Sequence, residues 1–81
     1  MFPVTSDFQI AAGYAELARL LNWMEAFHDD PMSEYAPVED FAEEFDRRER
    51  AVLARISRRA QEIGDTAALE FSVSALERWM P

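Results

Sequence analysis

The sequence predicts an all-α fold, a three-helix antiparallel bundle with a long central helix over residues about 37–63. Apolar side chains recur every three or four residues along three segments of the 81-residue chain, which is the spacing of a helix with one buried face. Residues that favour helix caps stand at the ends of these segments. Strand-like alternation occurs only in 70–75, inside a helical pattern. Residues 1–81 are therefore predicted to form a single helical domain.

The first predicted helix runs from Phe8 to about His28 and follows Thr5, Ser6 and Asp7, which all favour the N-cap position. One side of this helix carries an apolar stripe that we assign to the core: Ile10, Leu17, Leu21, Met24 and His28, flanked by Tyr14, Leu20 and Phe27. The opposite face is rich in alanine, so it is either solvated or lets another helix approach closely: Phe8, Ala11, Ala15, Ala18, Arg19, Asn22 and Ala26.

The second predicted helix follows a loop over residues 29–36 and extends to Ile63. Pro37 suits its first position, because the N–H that proline lacks would have no partner there. Its core line is Val38, Phe41, Phe45, Val52, Ile56 and Ile63, with Ala42, Leu53 and Ala60 beside it.

Gly64 and Asp65 predict a tight turn, because glycine ends a helix in the left-handed conformation and aspartate caps the next one. The third helix is expected over residues 66 to about 80, with the core line Leu69, Val73, Leu76 and Met80 and with Ala75 and Trp79 at its edge. Neither flanking helix can cover the whole central helix. A splayed arrangement that closes only as a dimer is therefore the alternative, with apolar surface left over around Phe41 or Phe71.

The net charge of −8 lies entirely within residues 25–49, where the chain has ten carboxylates and two arginines. The other residues carry six acidic and six basic side chains and are neutral overall. Concentrated negative charge attracts positively charged partners and repels nucleic acid and anionic lipid. The predicted partner is therefore a basic protein such as a nucleic-acid-binding effector, without direct binding to nucleic acid or to a membrane.

Part of this charge follows ordinary helix pairing, in which an acid precedes an arginine by four residues: Glu43 with Arg47, Glu44 with Arg48, and Asp46 with Arg50. Six further carboxylates have no arginine at helical spacing, and we call them the acidic corner: Glu25, Asp29, Asp30, Glu34, Glu39 and Asp40. Their mutual repulsion costs stability. Either the acidic corner binds basic groups of a partner, or it serves only solubility.

Phe71 is an aromatic residue predicted on the outward face of the third helix, opposite Leu69 and Leu76. Single exposed apolar residues are common, but aromatic side chains are enriched at interfaces. The predicted partner-binding set therefore consists of the acidic corner together with Glu43, Glu44 and Phe71.

Glu49 interrupts the apolar line of the second helix between Phe45 and Val52. A buried carboxylate needs hydrogen-bond donors or a proton. Counting residues along the antiparallel hairpins places Tyr14 or Trp79 beside Glu49, and we expect one of them to donate a hydrogen bond. No second acid or base falls near Glu49 by spacing, so a catalytic role is not predicted.

The sequence carries no signature of an enzyme or of a metal site. Cysteine is absent, and His28 beside Asp29 and Asp30 supplies too few nitrogen ligands for zinc. The loop also lacks the glycine and the alternating acids of a calcium site. There is no Gly-rich phosphate loop, no Ser-His-Asp set and no zinc-protease helix motif. No catalytic residue, metal or cofactor is predicted.

These observations favour a small acidic inhibitor that binds another protein and masks a basic, nucleic-acid-binding surface on it. In size, charge and helical character the chain resembles phage anti-CRISPR proteins, DNA mimics and nuclease immunity proteins, although it carries no family motif. A phage- or mobile-element-encoded anti-CRISPR-type inhibitor is the most specific expectation. The alternative is a helical homodimer or adaptor subunit with a structural role. A cytoplasmic location is expected, because the N-terminus lacks a signal-peptide pattern and no apolar run approaches ~20 residues.

Overall fold

A computed structural model describes residues 2–29 and 38–78, except for the side chains of residues 27–29 and 38–40. It contains three helices, α1 (Phe8–Asp29), α2 (Val38–Ile63) and α3 (Thr66–Glu77). With 26 residues, α2 is the longest of them. No strand occurs in these two described ranges. The predicted all-α fold with three helices is confirmed.

Local hydrogen bonds begin α1 and α3 where the sequence predicts them. Asp7 caps α1, since its Oδ2 accepts a hydrogen bond from the Ile10 N–H at 2.9 Å. Asp65 caps α3 in the same way, with its Oδ1 3.1 Å from the Ala68 nitrogen. Gly64, between α2 and α3, has a φ of +73°, a left-handed conformation that glycine adopts without strain.

α2 lies between the other two helices. α1 and α3 each pack along it, and in the described ranges they make few contacts with each other. α1 runs antiparallel to α2, because Gly13 lies against Ile56 while Trp23 lies against Phe41, with ring centroids 4.6 Å apart. The last turn of α1 and the first turn of α2 are therefore neighbours at one end of the bundle.

The core is built mainly from α1 and α2, with small residues contributed by α3. Its buried apolar residues are Ile10, Tyr14, Leu17, Leu20, Phe41, Phe45, Val52, Leu53, Ile56, Ala60, Ala68 and Ala75. The members from α1 and α2 all belong to the predicted apolar lines or their flanks. Two residues assigned to the α2 line or its edge are instead exposed, namely Ala42 and Ile63, the latter at 42%.

The most buried face of α3 is shifted by one residue around the helix from the predicted core line; Leu69 and Leu76 of that line still pack against the core, and Ala75, predicted at its edge, is buried. The buried residues of α3 are small: Ala68, Ser72 and Ala75. Leu69 and Leu76 are only half-buried, and Val73 is 37% exposed. Small side chains let the backbone of α3 approach α2 closely, so the leucines pack along the side of the contact. Ser72 is accommodated because its hydroxyl donates to the Ala68 carbonyl at 2.9 Å. The predicted core residue Met80 lies outside the described residues.

The prediction of an outward-facing Phe71 is wrong for the same reason. Because α3 is rotated, Phe71 is half-buried and its ring lies edge-on to both Phe2 and Tyr14, with centroids 5.6 Å away. Phe41 is buried, so apolar surface is not left over there, whereas Phe71 keeps part of its surface accessible. Among the residues whose side chains are described, the exposed large apolar ones are Val4, Phe8, Ile63 and Val73.

Candidate functional site

The acidic corner lies only partly within the described residues. Glu25 is exposed on α1 and makes no ion pair in the described part of the chain. Asp29 is the last residue of α1, and Glu39 and Asp40 lie in the first turn of α2, but the side chains of these three are not described. Two members of the corner lie wholly outside the described residues: Asp30 and Glu34. The convergence of the six carboxylates therefore stays a prediction.

An aromatic contact joins α1 to α2 next to the acidic corner. Trp23 packs against Phe41, and the guanidinium carbon of Arg48 lies 4.7 Å from the centroid of the Trp23 ring, a cation–π distance. This contact holds the end of α1 beside the start of α2. Trp23 lies off the predicted apolar stripe of α1, so helical periodicity did not indicate it. Its position next to the acidic residues 25–49 was the sequence feature that could have indicated Trp23.

Glu44 is the centre of the ion pairs in the first half of α2. It pairs with Arg47 and also with Arg48, whose Nε lies 2.6 Å from Oε1 of Glu44. The hydrogen bond from Arg48 is the main cause that lowers the pKa of Glu44. The predicted Glu44–Arg48 pair is confirmed. The predicted Glu43–Arg47 pair is wrong, because Arg47 pairs three residues back, and Glu43 is exposed without an ion pair in the described chain.

In the third predicted pair, Asp46 with Arg50, the acceptor is the backbone carbonyl of Asp46 and not its carboxylate. The Nε of Arg50 donates to the backbone carbonyl of Asp46 at 3.4 Å.

Two more arginines of α2 bind acids of the segment that contains α1. Arg55 pairs with Glu16, and the Nη2 of Arg59 lies 2.9 Å from Oδ1 of Asp7. Arg59 also pairs with Glu62 at 3.3 Å. The hydrogen bond with Arg59 is the largest cause that lowers the pKa of Asp7. Because these arginines are compensated by carboxylates, they offer little free positive charge for phosphate binding.

Most of the Glu49 side chain is removed from solvent, with 14% of it exposed, but Tyr14 is not its partner. The Tyr14 hydroxyl is buried without a hydrogen bond in the described residues, and Trp79 lies outside them. Glu49 instead forms an ion pair with Arg78, with Oε1 and Nη2 3.8 Å apart. The packing of Gly13 on Ile56 explains the difference, because it places Glu49 about two helical turns beyond Tyr14.

Glu49 and Arg78 lie in an apolar groove between α1 and α3. Two adjoining pockets of about 300 and 310 Å³ form it, and they share Leu21, Glu49 and Arg78. The groove exists because α1 and α3 pack on α2 and make few contacts with each other. We call it the Glu49 groove and define it by Leu21 and Met24 of α1, Phe45 and Glu49 of α2, and Phe71 and Arg78 at α3.

Comparisons with known proteins assign no family. No protein-family model matches the chain, and neither the curated proteins nor the solved structures show a match to it. Within residues 2–29 and 38–78, no three acidic, histidine or cysteine side chains are grouped so that they could hold a metal ion. Each helix of these ranges is too short or too polar to span a membrane.

Proposed function

We propose that this protein is a small acidic inhibitor that binds a partner protein through the acidic corner and masks a basic, nucleic-acid-binding surface on it. The distribution of charge carries this proposal, since residues 25–49 hold the entire net charge of −8. Arg47 and Arg48 both bind Glu44. Glu25 and Glu43 keep exposed carboxylates that have no ion pair among the described residues. Complementary charge of this kind speeds association and selects the partner.

The helix arrangement supports a preorganised surface. Trp23 on Phe41 joins the C-terminal part of α1 to the first turn of α2, and Arg48 lies over the Trp23 ring. Four members of the acidic corner occupy positions in these two neighbouring parts of the helices: Glu25, Asp29, Glu39 and Asp40. A surface that is already ordered loses less conformational entropy on binding.

A phage- or mobile-element-encoded inhibitor of a CRISPR effector is the specific form of this proposal. Such effectors hold nucleic acid in a positively charged channel. A compact helical protein with concentrated negative charge is complementary to that kind of surface. CRISPR effectors therefore belong in the panel of purified nucleic-acid-binding proteins that tests the proposal.

The test compares two double variants with the same change of charge. Asp29→Lys with Asp40→Lys reverses one acid on each helix of the acidic corner. Glu70→Lys with Glu77→Lys is the matched control, because both acids are exposed on α3 and have no ion pair in the described chain. We expect the wild type and the control to bind a member of the panel and displace its nucleic acid, while the corner variant does neither. Equal binding by both variants would contradict the proposal.

A homodimeric adaptor is the second candidate, and the exposed N-terminal region favours it. Phe8 is 85% exposed and Val4 is 95% exposed, next to the alanine-rich face of α1. If this surface joins two copies, light scattering at micromolar concentration gives twice the monomer mass of 9.3 kDa, and Phe8→Ser restores the monomer. A monomer at all concentrations removes this candidate.

A further inference from the structure

We propose that the Glu49 groove is a second contact site of this protein, which receives an amphipathic helical segment of the basic partner. In this complex an arginine or lysine of the segment binds the Glu49 carboxylate, and apolar side chains on either side of it enter the two pockets. The inference rests on the proposed function, because it takes the partner to be a basic protein.

The shape of the groove suits such a segment. The two pockets adjoin at Glu49, with Leu21 and Arg78 common to both. One pocket continues to Phe71 and the other to Met24 and Phe45, so each has an apolar wall. Helices that bind in grooves use apolar anchors about two turns apart on one face. A basic residue midway between two such anchors would lie opposite Glu49.

Among the described residues, no group donates a hydrogen bond to the Glu49 carboxylate, although its side chain is largely buried. Its side chain is 14% exposed, and its ion-pair partner Arg78 is 3.8 Å away, which exceeds hydrogen-bond distance. The side chain of Arg78 is itself 68% exposed, so solvent competes for it. Burial of a charge without hydrogen bonds is costly. A guanidinium or ammonium group that entered the groove would supply charge-assisted hydrogen bonds to this carboxylate.

Charge complementarity selects this occupant over a second copy of the chain. The protein has a net charge of −8, so two copies repel each other, whereas a basic segment is attracted. An entirely apolar segment would exclude water from the Glu49 carboxylate and add no hydrogen-bond donor to it, leaving only the 3.8 Å ion pair with Arg78. The apolar pockets therefore select the apolar anchors of the partner segment, and the central carboxylate selects its basic residue.

The test is selection from a phage-displayed library of helical peptides with random sequence, using the full chain as bait. We expect the wild type to enrich peptides that carry an arginine or lysine between two apolar anchors. Glu49→Gln should remove the preference for the basic residue and weaken a selected peptide at least about tenfold. Glu70→Gln is the matched control, because it makes the same change at an exposed site on α3 that has no ion pair in the described chain, and we expect less than about a twofold effect. Circular dichroism confirms that both variants remain helical.

Other binding patterns overturn the inference. Peptides that are basic without apolar anchors, and that the Asp29→Lys with Asp40→Lys variant fails to bind, would support the acidic corner alone. Apolar peptides that bind Glu49→Gln as tightly as the wild type, or no enrichment at all, would exclude the ion pair. Binding only after deletion of residues 79–81 would assign the groove to the C-terminus of this chain. A dimer that Glu49→Gln dissociates would assign it to a second copy. A different result would refute the proposed function of the corner. In that case the Asp29→Lys with Asp40→Lys variant would bind the panel protein as the wild type does, while peptide binding would still depend on Glu49.

Discussion

Asp7 caps α1 and binds Arg59 of α2 with the same carboxylate. One oxygen, Oδ2, accepts the Ile10 N–H at 2.9 Å, and the other, Oδ1, accepts Nη2 of Arg59 at 2.9 Å. The side chain of Asp7 is 13% exposed. A helix terminus and a contact between two segments 52 residues apart therefore depend on one ionised group.

The stability of the protein should fall at acidic pH in a way that depends on Asp7. Folding lowers the pKa of Asp7, chiefly through the hydrogen bond from Arg59. Such a group contributes stability that is present above the unfolded pKa of about 3.9 and is lost as the pH falls through the lower folded pKa. We expect the unfolding free energy from urea titrations to drop less between about pH 5 and pH 2 for Asp7→Asn than for the wild type. Glu70→Gln should keep the wild-type profile, and identical profiles for Asp7→Asn and the wild type would contradict this prediction.

Gly13→Ala should destabilise the protein although alanine is the better helix former. A Cβ at Gly13 would lie 2.6 Å from Cγ1 of Ile56, so either the Ile56 side chain would have to shift or the two helices would have to move apart. Overpacking of this kind costs about 1–3 kcal/mol, and the gain in helix propensity is about 1 kcal/mol. In an Ile56→Ala background the clash is absent, and Gly13→Ala should be neutral or stabilising. Chemical denaturation of the four proteins measures the coupling, and an equal loss in both backgrounds would show that the contact is not responsible.

Tyr14→Phe should be neutral or stabilising by about 1 kcal/mol. The Tyr14 hydroxyl is buried and has no hydrogen-bond partner among the described residues, while its ring stacks on Phe2 with centroids 5.1 Å apart. Phenylalanine keeps the ring and removes the polar atom. Tyr14→Leu is the control, because it loses the aromatic contacts with Phe2 and Phe71 and should be less stable than the wild type. A clear loss of stability in Tyr14→Phe, measured by urea unfolding, would mean that the hydroxyl is hydrogen-bonded in solution.

Binding of the partner should slow as salt rises. Attraction between exposed charges is screened over about 10 Å at 0.1 M ionic strength, and complementary charge acts mainly on the association rate. Stopped-flow or surface plasmon resonance at several salt concentrations should give a falling association rate for the wild type. The slope should be shallower for Asp29→Lys with Asp40→Lys than for Glu70→Lys with Glu77→Lys. Equal slopes for the two variants would mean that the acidic corner does not steer association.

Much of the local structure followed from the sequence because its causes lie within a few residues. Asp7 and Asp65 cap helices through hydrogen bonds to nitrogens three residues further on. Gly64 ends α2 through its own backbone conformation. The Glu44–Arg48 pair depends on helical spacing alone. The acidic corner was identified from the same kind of local information, namely carboxylates that lack an arginine at helical spacing.

Tertiary structure decided which face of α3 is buried and what lies beside Glu49. Hydrophobicity favoured Leu69 and Val73, but close approach to α2 selected the small residues Ala68 and Ser72, since distance between helix axes depends on side-chain size at the contact. The position of α1 along α2 depends on the space that Gly13 leaves for Ile56. Helical periodicity shows which face of a helix is apolar, but it does not determine where α1 lies along α2. The sequence by itself therefore determined the helices, their caps and the charge pattern, while packing between helices decided the groove in which Glu49 lies.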